Sequence, residues 1–127
     1  MFYLKVFITF VVLLGSSIIG IISFSPVNDT NGTITIQVID KNGIETINEN
    51  YIFDESDSLF EILNNNYNIV YREYTVGIIL LCIEEVCTNF DSDYIAIYID
   101  GEYSKYGISI IPLEDQKIYS FIYKEID

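Results

Sequence analysis

The chain has 127 residues, about the size of one domain, with 19 acidic and six basic residues, no histidine, no tryptophan and a formal net charge of −13. Such an excess of negative charge repels phosphate backbones and anionic lipid headgroups, so nucleic-acid recognition is set aside. Without histidine, and without a motif that gathers serine, lysine, cysteine or carboxylate groups, acid–base and nucleophilic chemistry have few carriers, and the sequence reads as that of a non-enzyme.

Residues 6–24, VFITFVVLLGSSIIGIISF, contain no charge and are interrupted only by Thr, Gly and Ser. The run is long enough to cross a hydrocarbon core of roughly 30 Å as a helix. Lys5, the only charge before it, places that end in the cytoplasm and the remainder outside. Two readings of residues 1–25 stay open. A cleaved signal peptide has small residues at Ser23 and Ser25, although Pro26 follows directly and obstructs cleavage there; an uncleaved anchor stays in the membrane. Every acidic residue lies beyond Pro26, so the expected address is the outer face of a cell membrane, or secretion.

Residues 26–32, rich in turn formers, read as a linker, and residues 33–127 as the domain. TITIQVI at 33–39 alternates Ile34, Ile36 and Val38 against polar residues, which predicts a half-buried strand. Asn42-Gly43 supplies a hairpin turn into a second strand near residues 44–53, with Ile47, Tyr51 and Phe53 facing inward. Leu59, Ile62 and Leu63 then change to helical spacing, with a cap from Ser56 or Asp57 and an end in the asparagines at 64–66.

Further strands are predicted at 67–71, 76–83, 94–99 and 117–124, the last with Ile118, Ser120 and Ile122 on one face and Tyr119, Phe121 and Tyr123 on the other. Asp100-Gly101 reads as a turn in which the aspartate bonds its own backbone two residues on. Pro112 cannot donate to a ladder, so residues 108–111 are expected as an edge strand or extended loop. A hairpin, one helix and further strands form the β-grasp arrangement, an α+β fold with one helix packed on a mixed sheet.

The residues at 94–103 (YIAIYIDGEY), then Gly107-Ile108, Leu113-Glu114-Asp115 and the aromatic strand at 118–123, resemble the bacterial relatives of the C-terminal domain of transcobalamin and intrinsic factor. The hairpin TITIQVIDKNG and the helix DSLFEIL fit the same pattern, so the likeness spans about residues 33–123. Tyr94 stands where the family commonly carries tryptophan, and Asp115-Gln116 where it commonly reads Gly-Asp. The resemblance implies a β-grasp lid of the kind that closes over cobalamin held against a separate helical barrel, for which this chain leaves no room. Cobalamin or another corrinoid is the ligand it implies; no cofactor is otherwise expected.

Tyr94, Tyr103 and Tyr106 are the candidate ligand-facing residues, because loop aromatics stack on flat ligands at small entropic cost; the competing reading is that they cover the open end of the sheet. Asp100, Gly101, Gly107 and Pro112 are candidate structural residues of the turn and loop. If Glu84-Glu85 is a two-residue turn, Cys82 faces Cys87 across a hairpin at disulfide spacing; free cysteines in an apolar strand are the alternative. C-x4-C without other thiols or histidine is no zinc site, and Asp91-Ser92-Asp93 with Glu84 and Glu85 lacks calcium-loop spacing, so no metal is expected.

The expected function is an extracytoplasmic ligand-binding or interaction module, tethered or secreted, that recognises shape alongside a protein partner at the cell surface. The alternative is a structural or adhesion-type surface domain that binds protein, through an exposed edge strand, and no small molecule.

Overall fold

The computed structural model describes residues 28–126. The signal-or-anchor segment at residues 1–25, and Pro26 after it, lie outside the described residues. Among the described residues no helix is long and apolar enough to cross a membrane.

The chain builds a mostly β structure with one short helix and two sheets. Strands β1 (Asn31–Ile39) and β2 (Glu45–Asp54) form an antiparallel hairpin. Its turn is held by the Asp40 carboxylate, which accepts from the N–H of Asn42 at 2.9 Å and of Ile44 at 3.0 Å, while Gly43 takes φ 77°. β1 starts two residues earlier than the linker reading placed it. A Cβ at Gly32 would lie 2.6 Å from the Asp115 carboxylate, so glycine lets that side chain reach the Thr33 N–H.

Helix α1 (Leu59–Asn66) buries Leu59, Ile62 and Leu63, as their spacing requires. Its cap is Ser58, whose hydroxyl accepts from the Glu61 N–H at 3.1 Å. The expected caps, Ser56 and Asp57, are engaged elsewhere: both bond to Asp54 and close the end of β2.

Six strands follow: β3 (Ile69–Tyr74), β4 (Gly77–Ile83), β5 (Val86–Cys87), β6 (Asp93–Ile99), β7 (Glu102–Tyr103) and β8 (Ile118–Glu125). The larger sheet has the order β2-β1-β8-β6-β7 and is mixed, with β1 and β8 parallel at its centre. The expected single sheet is in fact two, because β4 pairs with β3 and β5 through short local turns and those three strands form a second sheet.

One apolar core joins the two sheets and the helix. Ile34, Ile36 and Val38 of β1 and Tyr119 and Phe121 of β8 pack with the three buried helix residues and with Leu80 and Ile83 of β4. Each such side chain contributes about 1.5–3 kcal/mol by leaving water. Residues 108–111 are no strand: 108–110 turn, with Ile108 and Ile111 buried in that core, so burial rather than pairing fixes them. Ser120, facing away from the core, is nonetheless buried, and its hydroxyl donates to Gln37 Oε1 at 2.6 Å.

Candidate functional site

The stretch that follows β6 is shaped first by its turn. Ile99 pairs with Glu102 and Tyr98 with Tyr103, leaving Asp100 and Gly101 as a two-residue loop. Both take positive φ, 50° and 84°, the conformation that such a hairpin demands and that Asp-Gly tolerates. The Asp100 carboxylate does not close its own turn. Its Oδ1 accepts from the Ile118 N–H at 2.8 Å and its Oδ2 pairs with Lys117 Nζ at 3.3 Å, which ties the turn to the start of β8. The Ile118 N–H, helped by the Lys117 charge, holds the Asp100 carboxyl below the usual carboxylate range, and Asp100 in turn raises Lys117.

Beyond the turn, Tyr103 and Tyr106 stand on a ridge, 57% and 55% exposed. Tyr103 meets Tyr98 edge-on at 5.6 Å between ring centroids, and Lys105 Nζ lies 5.5 Å from the Tyr106 ring. The ridge backbone is fixed by the Ser104 N–H donating to Ile97 C=O at 2.8 Å and by the Ser104 hydroxyl bonding the backbone of Tyr106.

Depressions flank the ridge on both sides. On one side Tyr94, Tyr103 and Tyr106 share a cleft of about 170 Å³ with Ile78 and Phe90, between β6 and β4. On the other, Asp100, Glu102, Tyr103, Lys105, Tyr106 and Lys117 border an open hollow of about 700 Å³. The three candidate tyrosines therefore come together, with the half-buried Tyr94 forming a wall and the other two the crest. Both depressions are open, and neither encloses a large flat molecule.

The structural candidates sort differently. Gly107 has no positive φ, and a Cβ there would lie 3.5 Å from Ile78 C=O, an ordinary contact, so neither backbone conformation nor crowding demands glycine at this position. Pro112 offers its carbonyl to the Tyr119 hydroxyl at 2.8 Å, and the same oxygen of Tyr119 accepts from the Glu114 N–H at 3.0 Å. Burial pushes the Tyr119 phenol up to about 12. Ile83 faces Val86 and Cys82 faces Cys87 across the Glu84-Glu85 turn, with Cα atoms 4.1 Å apart and the two sulfurs bonded. Glu84 takes φ 51° there, and its carboxylate accepts from the Asn68 N–H.

Nothing in the sequence places Ile78 and Phe90 beside the tyrosines, because the cleft arises where two sheets approach and no local period encodes that. It also missed a second aromatic cluster, in which Tyr51 donates to Tyr67 and Tyr67 to Glu49, both at 2.6 Å. Burial and the Glu49 carboxylate hold the Tyr67 phenol well above its usual range. This cluster joins the end of α1 to β2 and is distant in sequence from the ridge. Another hollow, of about 250 Å³, lies between the β1–β2 turn and Cys87, without converging aromatics. Among the described residues no group of three or more His, Cys, Asp or Glu side chains converges to hold a metal.

No family model matches the chain, and no curated protein matches it. Solved structures do. A protein from Ruminococcus gnavus ATCC 29149, provisionally named as metal binding, matches with TM-score 0.63 and 20% identity over 76% of this chain and 99% of that one. Haptocorrin in complex with Cbi matches with TM-score 0.64 and 14% identity over 79% of this chain and 27% of that one, so the chain spans about a quarter of haptocorrin's length. At these identities the likeness is one of fold, a distant relationship to part of haptocorrin.

Proposed function

We propose that this protein is a non-enzymatic, extracytoplasmic binding module of the β-grasp type, related to the transcobalamin C-terminal domain, whose ridge of Tyr94, Tyr103 and Tyr106 covers one face of a flat ligand of the corrinoid class. The observation that carries the reading is the convergence of these three tyrosines around one cleft beside an open hollow, on a fold shared with a segment of haptocorrin, itself bound to Cbi. Exposed aromatic rings contribute contact area with few torsions to freeze, so they suit stacking on a planar ring.

The ridge supplies one wall. A corrinoid needs most of its surface buried for tight binding, so a protein partner at the cell surface provides the second wall, and this chain alone binds weakly. The apolar segment at residues 6–24 would tether the module or export it. Equilibrium dialysis of the purified protein against cobalamin and cobinamide, read by visible absorbance, tests the reading. Retention above a denatured control is expected. No retention at high micromolar protein overturns autonomous corrinoid binding.

A second reading, a surface domain that binds protein and no small molecule, is favoured by the tip of the β3–β4 hairpin. There Val76 is 90% exposed and Tyr74 stands open at the end of β3. The two readings separate in the same dialysis.

A further inference from the structure

Strand β2 is the outermost strand of the larger sheet and, among the described residues, pairs only with β1. It is ten residues long and contains neither proline nor lysine, so neither short length nor those two residues keep this edge from pairing. Its one register shift sits at the turn end, opposite Val38 and Ile39.

The neighbours fix which backbone groups of β2 are open. The Thr35 N–H donates to Lys117 C=O at 3.0 Å, and the Gln116 N–H donates to Thr33 C=O at 2.8 Å, so Thr33 and Thr35 turn their backbone groups toward β8. Bonded and non-bonded pairs alternate along an antiparallel ladder. Ile34 and Ile36 therefore bond with Tyr51 and Glu49, and the N–H and C=O groups of Asn48, Asn50 and Ile52 face outward. The next outward donor, the Asp54 N–H, is already capped by the Asp57 carboxylate at 2.9 Å, which ends the open row.

Charge selects the occupant. β2 itself carries Glu45, Glu49 and Asp54 and neither lysine nor arginine, on a chain whose formal net charge is −13. A second copy would set the same acids against themselves. We infer that the β2 edge accepts an extended, lysine- or arginine-bearing segment of a partner protein as an added strand, bonded through the main chain of Asn48, Asn50 and Ile52. Acidic side chains beside the edge meet its basic ones, and Ile52, 85% exposed, offers the row an apolar contact. This site is separate from the tyrosine ridge.

Amide hydrogen exchange on the isotope-labelled full-length chain tests it, with a short peptide of alternating Val and Lys as probe and its Val-Glu counterpart as control. Slowed exchange at Asn48, Asn50 and Ile52 with the Lys peptide alone, weakening as salt is added, is the expected result. Asn50→Pro removes one outward donor and leaves the β1 ladder intact, so binding should weaken by about tenfold. Because proline can disturb folding, Asn50→Lys gives an independent arm: the same melting temperature and weaker binding of the Lys peptide. The inference is overturned by equal binding of the Glu peptide, by protection confined to other strands, or by no binding. Protection without peptide that grows with protein concentration, or that vanishes when residues 1–27 are removed, would assign the edge to a second copy or to the chain's own segment and overturn it equally.

Discussion

The centre of the larger sheet and the tyrosine ridge at its edge use the same kind of residue to opposite ends. At the centre, Tyr119 is buried, its ring in the core and its hydroxyl spanning Pro112 and Glu114. On the ridge, Tyr103 and Tyr106 leave more than half of their surface in water and take little part in the core. Aromatic side chains that the fold does not consume are available to something else.

The largest break in that comparison comes from the centre. Phe121→Ala removes a fully buried ring beside Tyr119 and should cost about 3–5 kcal/mol, seen as a lower denaturant midpoint for the entire domain. Next is the link between Cys82 and Cys87. Replacing both by Ser releases a short closed loop and should cost about 2 kcal/mol, with faster amide exchange concentrated around β5. A smaller loss would mean that β5 is held by Val86 in the core more than by the sulfurs.

The turn that carries the ridge can be probed with pH. The Asp100 carboxyl titrates below its unfolded value, so it contributes stability that is present above about pH 4 and is lost as pH falls through the lower folded value. Asp100→Asn should flatten the acid limb of a stability–pH curve and leave the neutral region nearly unchanged. Lys117 has the opposite sign. Its raised value contributes stability that is complete below about pH 10 and lost above the folded value, so Lys117→Met should flatten the alkaline limb. An unchanged acid limb in the Asp100 variant would detach the ridge from the sheet centre. The smallest stability effect belongs to the ridge itself, where Tyr103→Ala or Tyr106→Ala should cost about 1 kcal/mol or less in thermal melts.

Much of the sheet centre could be read before any coordinates, because period-two alternation at Ile34, Ile36 and Val38 and helical spacing at Leu59, Ile62 and Leu63 are local signals of what lies inside. At Glu84-Glu85 the sequence left the turn and free cysteines as alternatives, and what could be read was the consequence of the turn: a two-residue loop sets Cys82 opposite Cys87. The errors lay where partners are distant in sequence. Asp100 reaches Ile118 instead of its own turn, Ser58 caps the helix because Asp54 has engaged Ser56 and Asp57, and residues 108–111 are held by burial rather than in a ladder. The division into two sheets is of the same kind, for strand propensity says nothing about which strand is the neighbour. At the ridge, the sequence supplied the three tyrosines but not their common cleft, which the approach of β4 to β6 creates.

The comparison between centre and ridge comes down to one paired measurement on Tyr103→Ala/Tyr106→Ala and the parent protein: melting temperature together with equilibrium dialysis against cobinamide. The double variant should melt within a few degrees of the parent and lose the cobinamide retention expected of the parent. Equal retention by both proteins, or a large fall in melting temperature with no retention by either, would return these tyrosines to the fold and contradict a binding ridge.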